Sequence, residues 1–151
     1  MKIILRRLYG DDRVTKSQMT VESDGGEVLM QCEAHEPRYA DYTEVFPGCS
    51  RYCLAVGTWP CRVKATAQSA MTVIVPRSPG HRSTCIGWDE WKQWSQNVIL
   101  IGMGDEETDI QYRRLREQKE TFRRFERLVY RAYTAEEKII ISIKNGYEVK
   151  N

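Results

Sequence analysis

The chain has no long hydrophobic run. Its apolar stretches, such as 98–101 and 139–141, fall far short of the ~20 consecutive residues that a membrane-crossing helix needs. The opening MKIILRRLYGDD sets arginines and aspartates where a signal peptide carries an unbroken apolar core, so a cytoplasmic protein is expected. Repeats, linkers and low-complexity tracts are absent too, and 151 residues suit a single domain, 1–151, with a substantial core. A strong charge imbalance is also missing. There are 23 basic and 21 acidic residues, for a net charge of +2. With 41% hydrophobic and 29% charged residues, the composition is that of a globular protein.

Five cysteines, at 32, 49, 53, 61 and 85, are an odd number, which excludes a fully paired disulfide framework. A second metal-binding knuckle is lacking. Cys49 and Cys53 form one, with Cys61, His81 and Cys85 further along, whereas structural zinc sites usually use two. Reduced, partly buried thiols are expected, with no structural metal and no cofactor.

What is present reads as strands followed by a helix. Short β-like segments fall at 2–9, 18–22, 28–32, 52–55, 59–65, 71–75, 84–86 and 98–101, and SDGGE at 23–27 is the best hairpin signal. Segments 98–101 and 139–143 are nearly continuous in apolar residues, as strands at a sheet's centre are. Between Tyr112 and Tyr133 there is no glycine or proline, and Leu115, Phe122, Phe125, Val129 and Tyr133 place one apolar stripe on one helix face. Asp105, Glu106, Glu107 and Asp109 precede it, as acidic groups do at a helix start. The expected fold is α+β: a mainly antiparallel, barrel-like sheet with one long C-terminal helix and a final strand.

That helix carries Lys119, Arg123, Arg127 and Arg131 in steps of four. The ladder suits a phosphate or nucleic-acid stripe. A solvated face is the preferred reading, because the whole-chain charge is small and no nucleic-acid motif accompanies the stripe. The segment 79–102, PGHRSTCIGWDEWKQWSQNVILIG, is richer. Cys85, Trp88, Trp91 and Trp94 recur every three residues. They either pin a loop to the sheet or wall a pocket for a sugar, base or peptide.

Several stretches along the chain, in order, resemble domain-of-unknown-function family 5675, a family of small bacterial and phage proteins. These are KIILRRLYGDDRVTKSQMTVES, VLMQCEAHEPR with Cys32, Glu33 and Glu36, CLAVGTWPCRV, NVILIG and FRRFERLVYRAYTAEEKIIISI. Members of that family often carry a histidine at a strand end and a Gly-Cys pair about ten residues on. The layout is similar to that of L,D-transpeptidases, in which a thiolate attacks a peptide carbonyl and an imidazole takes its proton. Aligned on ILIG, the Gly-Cys pair falls on Asn97 and Val98, and the histidine on Gly87. The resemblance therefore implies a cleft that has lost its reacting groups.

The first functional expectation is a non-catalytic binding protein. Trp88, Trp91 and Trp94 would stack on a ligand, with Arg82, Asp89 and Asn97 as polar contacts. The ligand would be a peptidoglycan fragment or a nucleotide, such as a host signal sequestered by a phage or mobile-element protein. The alternatives are a cysteine hydrolase or transpeptidase with a displaced pair, His81 and Cys85, and an interaction module that docks another protein, as a homo-oligomer.

Overall fold

The computed structural model describes residues 1–40, 52–65, 71–76, 78, 83–88 and 98–146. Eight strands close into a barrel: β1 (Lys2–Gly10), β2 (Thr15–Glu22), β3 (Val28–Glu36), β4 (Gly57–Ala65), β5 (Met71–Val75), β6 (Thr84–Gly87), β7 (Val98–Gly102) and β8 (Ile139–Asn145). Around the barrel the order is β1-β2-β3-β7-β6-β5-β4-β8, with β8 returning to β1. The α+β, barrel-like fold is present, but the sheet is mixed. β8 runs parallel to β1, and β6 runs parallel to β7. The 52–55 segment is not a strand.

Local chemistry fixes the first three strands. Asp11 accepts hydrogen bonds from the backbone N–H groups of Arg13 and Val14, at 2.8 and 2.9 Å, which holds the β1–β2 turn. The SDGGE turn joins β2 to β3. Gly26 takes φ +87° there, a region that only glycine enters freely, and its N–H donates to the Ser23 carbonyl at 3.0 Å.

The register assigns each side chain to a face of the wall, because alternate residues of a strand point to opposite sides. Ile3 and Leu5 of β1 pair with Val21 and Met19 of β2, and with Ile141 and Ile143 of β8. Met19 and Val21 pair with Cys32 and Met30 of β3. Ile101 pairs with Ala34, and Ile99 with Ile86. These residues are buried and form one core. An eight-stranded barrel is just wide enough for side chains to fill it.

The two ends are closed differently. Helix α1 (Gln118–Thr134) lies at the end where β3 and β5 begin and β7 finishes, and it buries Thr121, Phe122, Phe125, Val129 and Ala132. At the opposite end Arg7 and Glu36 form an ion pair with both side chains 1% exposed. Arg7 Nη2 donates to Glu36 Oε2 at 3.1 Å and to the Leu54 carbonyl. The Leu54 N–H donates back to Glu36 Oε2 at 2.9 Å. Residues Cys53, Leu54 and Ala55 thus form a buried lid rather than a strand. Burial opposes the Arg7 charge, but Glu36, together with Cys53 and Tyr39, outweighs it and holds the guanidinium pKa above its usual value.

The helix is shorter than its sequence pattern. Met103 and Arg116 exchange two backbone hydrogen bonds, at 2.7 and 2.8 Å, which draws residues before the helix into extended backbone. Glu117 then turns through a left-handed conformation (φ 50°) and the helix starts at Gln118. Leu115 therefore lies outside the helix and is half-buried, and Tyr133 is exposed. The acidic run does not mark the helix start. Asp105 instead closes its own turn, accepting from Thr108 Oγ1 and the Glu107 N–H at 3.0 and 3.1 Å.

Phe125 is fully buried. Phe125→Ala should cost ~3–5 kcal/mol, the range for truncating a core phenylalanine. Chemical denaturation checks this, and a loss below ~0.5 kcal/mol would place the ring outside the core.

Candidate functional site

A filled interior leaves the outside of the wall for binding. Residues paired in register to inward-facing ones are inward, so their chain neighbours face out. On β6 and β7 the outward set is Cys85, Gly87, Val98 and Leu100. Cys85 pairs with Val98, and Gly87 with Leu100. Gly87 and Val98 are therefore diagonal neighbours on one face, roughly 8 Å apart by strand spacing. Both are buried. Neither has a group that can act as a base or a nucleophile.

Of the sequence-derived contacts only Trp88 belongs to the described residues. It follows β6, is half-buried, and packs against the core. The Lys119 ammonium stands 5.7 Å from its ring centroid, within cation–π range. The first rung of the basic ladder thus meets the first tryptophan of the loop. Arg123, Arg127 and Arg131 are exposed, and the last two border an open apolar hollow with Met71, Glu126 and Tyr130. Arg82, Asp89, Trp91, Trp94 and Asn97 lie outside the described residues, as do His81 and Cys49.

Cys32, Cys53, Cys61 and Cys85 are thiols not joined in disulfides. Burial pushes Cys32 and Cys61 up to about 12 and raises Cys53 and Cys85 as well. Nearby cations oppose the shift only in part: Arg124 at Cys32, Arg7 at Cys53 and Lys64 at Cys85. A thiol held protonated is a poor nucleophile. Among the described residues, no three His, Cys, Asp or Glu side chains gather as a metal ion would require.

A polar cluster that sequence reasoning missed sits on the outer face of β3. Cys32, Ala34 and Glu36 point inward, so Glu33 and His35 point out. Glu33 is nevertheless 7% exposed and His35 14%. His35 Nε2 lies 2.9 Å from Glu33 Oε2. Arg113 Nη1 approaches Glu33 Oε1 at 3.5 Å. Lys16, outward on β2, donates to the carbonyls of Gln111 and Arg113 at 2.9 and 2.7 Å. Burial lowers the Lys16 pKa, and Glu33 opposes that shift. Together these groups tie the 103–116 strap over the outside of β1–β3. A cleft of about 200 Å³ remains beneath the strap, lined by Leu8, Gln18, Gln31, Glu33, Gly104 and Arg113, among others. The period-two placement of Glu33 and His35 was a usable signal. Arg113 was not, because it read as one more helix charge.

His35 pairs with Leu100, which pairs with Gly87. The polar cluster and the β6–β7 face therefore share one outer wall, about 10 Å apart across two strand spacings. Compared with known protein families, with curated proteins and with solved structures, the chain matched none. No helix among the described residues is long and apolar enough to cross a membrane.

The raised thiol pKa values set an alkaline limit on stability. An unfolded cysteine loses its proton near ~8.5, whereas folded Cys32 keeps its proton up to about 12. Between these values the unfolded state binds fewer protons, so stability falls as pH rises, by ~1.4 kcal/mol per pH unit per such thiol. Denaturation measured from pH 8 to 11 should show this decline, and Cys32→Ala should make it shallower by one thiol's share, the Cys61 share remaining. An equally steep decline in the variant would assign the loss to other groups.

Proposed function

We propose that the protein is a non-catalytic binding protein of the family-5675 type, built on an L,D-transpeptidase-like scaffold that has lost its reacting pair. The observation that carries this reading is the β6–β7 register. It sets Gly87 and Val98 as diagonal neighbours on one outer face, where long side chains such as a histidine's could reach across. With glycine and valine there, proton transfer and nucleophilic attack have no agent. The nearest described thiol, Cys85, is buried and held protonated. The connector 88–97, with Trp88, Trp91 and Trp94, supplies stacking surface, and Arg82, Asp89 and Asn97 supply polar contacts. A ligand with a flat or saccharide face suits them: a peptidoglycan fragment or a nucleotide.

Two measurements on the full chain test this. Alkylation with iodoacetamide at pH 7.5, read by mass spectrometry, should leave Cys32, Cys53, Cys61 and Cys85 unmodified. Thermal-shift screening against a disaccharide-tetrapeptide and cyclic dinucleotides should show stabilisation by one class, lost in Trp91→Ala. Rapid labelling of Cys85 with release of a cleaved muropeptide would overturn the non-catalytic reading. Stabilisation by neither class would remove the ligand assignment.

A further inference from the structure

We propose that the cleft under the 103–116 strap is a second binding site, one that takes the ammonium-bearing end of a small amino-acid amide or short peptide. It lies on the β1–β3 side of the shared wall and does not depend on the tryptophan loop. The floor is Glu33, a carboxylate more than nine-tenths buried on a side of the sheet that ordinarily faces water. A carboxylate has about four acceptor sites, and a buried one normally fills them. Among the described residues Glu33 has two hydrogen-bond partners, and the Lys16 charge lies near it as well. His35 takes Oε2 at 2.9 Å. The contact to Oε1 from Arg113 is 3.5 Å, long against the ~2.7–2.9 Å of a charge-assisted bond. Oε1 therefore keeps acceptor capacity on the cleft side.

The strap backbone lies against that carboxylate at Gly104, and both residues line the cleft. A Cβ at residue 104 would lie 2.6 Å from Glu33 Oε1, so only glycine lets the strap pass this close to the carboxylate. Arg113 shares its guanidinium between Glu33, faced by Nη1 at 3.5 Å, and two strap carbonyls. Its Nε donates to the Thr108 carbonyl at 2.7 Å and its Nη2 to the Glu106 carbonyl at 3.2 Å. Lys16 is likewise committed to two strap carbonyls. An ammonium group supplies three N–H donors in a compact head, which suits an open carboxylate oxygen. The Gln18 and Gln31 carboxamides border the same space and match an adjoining amide, donor to acceptor and acceptor to donor. Leu8 and Met103 complete an apolar flank for a short side chain. A volume of about 200 Å³ admits a molecule the size of an amino-acid amide.

The test is a ¹H–¹⁵N NMR titration of the full chain with alaninamide and with N-acetylalaninamide, whose nitrogen carries no charge. Alaninamide at up to ~10 mM, a suitable range for so small a ligand, should shift the amides of Gln31, Gly104 and Glu106 saturably. N-acetylalaninamide should leave them unmoved. Glu33→Gln should weaken alaninamide binding at least about tenfold. Gln31→Lys keeps the fold, because residue 31 is exposed; it sets a cation at the cleft mouth and should weaken binding even if the Glu33 variant does not fold. Equal shifts from both compounds, no shift from either, or unchanged affinity in Gln31→Lys would each overturn the proposal.

Discussion

The whole molecule depends on the last strand finding its place between the first and the fourth. β8 pairs in parallel with β1 through residues 140–145 and antiparallel with β4 through residues 139–143. Without it the sheet would have two long open edges, and unpaired strand edges expose backbone donors and acceptors that need partners. Its inward residues, Ile139, Ile141 and Ile143, are also a full side of the core. Closing a barrel with a C-terminal strand brings together residues nearly the whole chain apart. That is costly in loop entropy, and the surface it buries must offset that cost.

Closure makes the interior a solid core and moves recognition to the outside. One end is plugged by the Phe122–Phe125–Val129 face of α1, the other by the Arg7–Glu36 pair and the Leu54 backbone. That pair satisfies backbone groups a barrel end would otherwise leave unpaired. A buried ion pair adds little net stability over apolar packing, although losing one partner is costly. The chain then spends its remaining buried charge on the outer wall. Lys16, Glu33, His35 and Arg113 form a polar layer between the barrel and the strap, and a polar cleft remains beside Gly104, where the strap comes close to Glu33.

Much of the architecture was legible in local pattern. Short strand-like segments between turn residues marked β1 and the first part of β3, a nearly continuous apolar run marked β8, SDGGE marked a hairpin, and Phe122, Phe125 and Val129 marked the buried helix face. Whatever depended on distant partners was hidden. The helix begins at Gln118 because Met103, thirteen positions before Arg116, pairs with it. No periodicity within 112–118 records that. The parallel strand neighbours, the Arg7–Glu36 contact across twenty-nine positions and the Lys119–Trp88 contact are equally non-local. Of the tryptophan-loop residues, Trp88 could be placed, half-buried under a lysine. The polar cleft escaped notice because its charges looked like ordinary surface.

Native-state hydrogen exchange across the β8 amides tests the closure most directly. If the barrel holds together only with β8 in place, the amides of Ile141 and Ile143 should exchange only through global unfolding. Their opening free energy should then equal that of Leu5 and Met19 and follow denaturant with the same slope. Exchange of β8 through a lower-energy opening, with β1–β3 still protected, would contradict the account. It would show a sheet that stands without its closing strand.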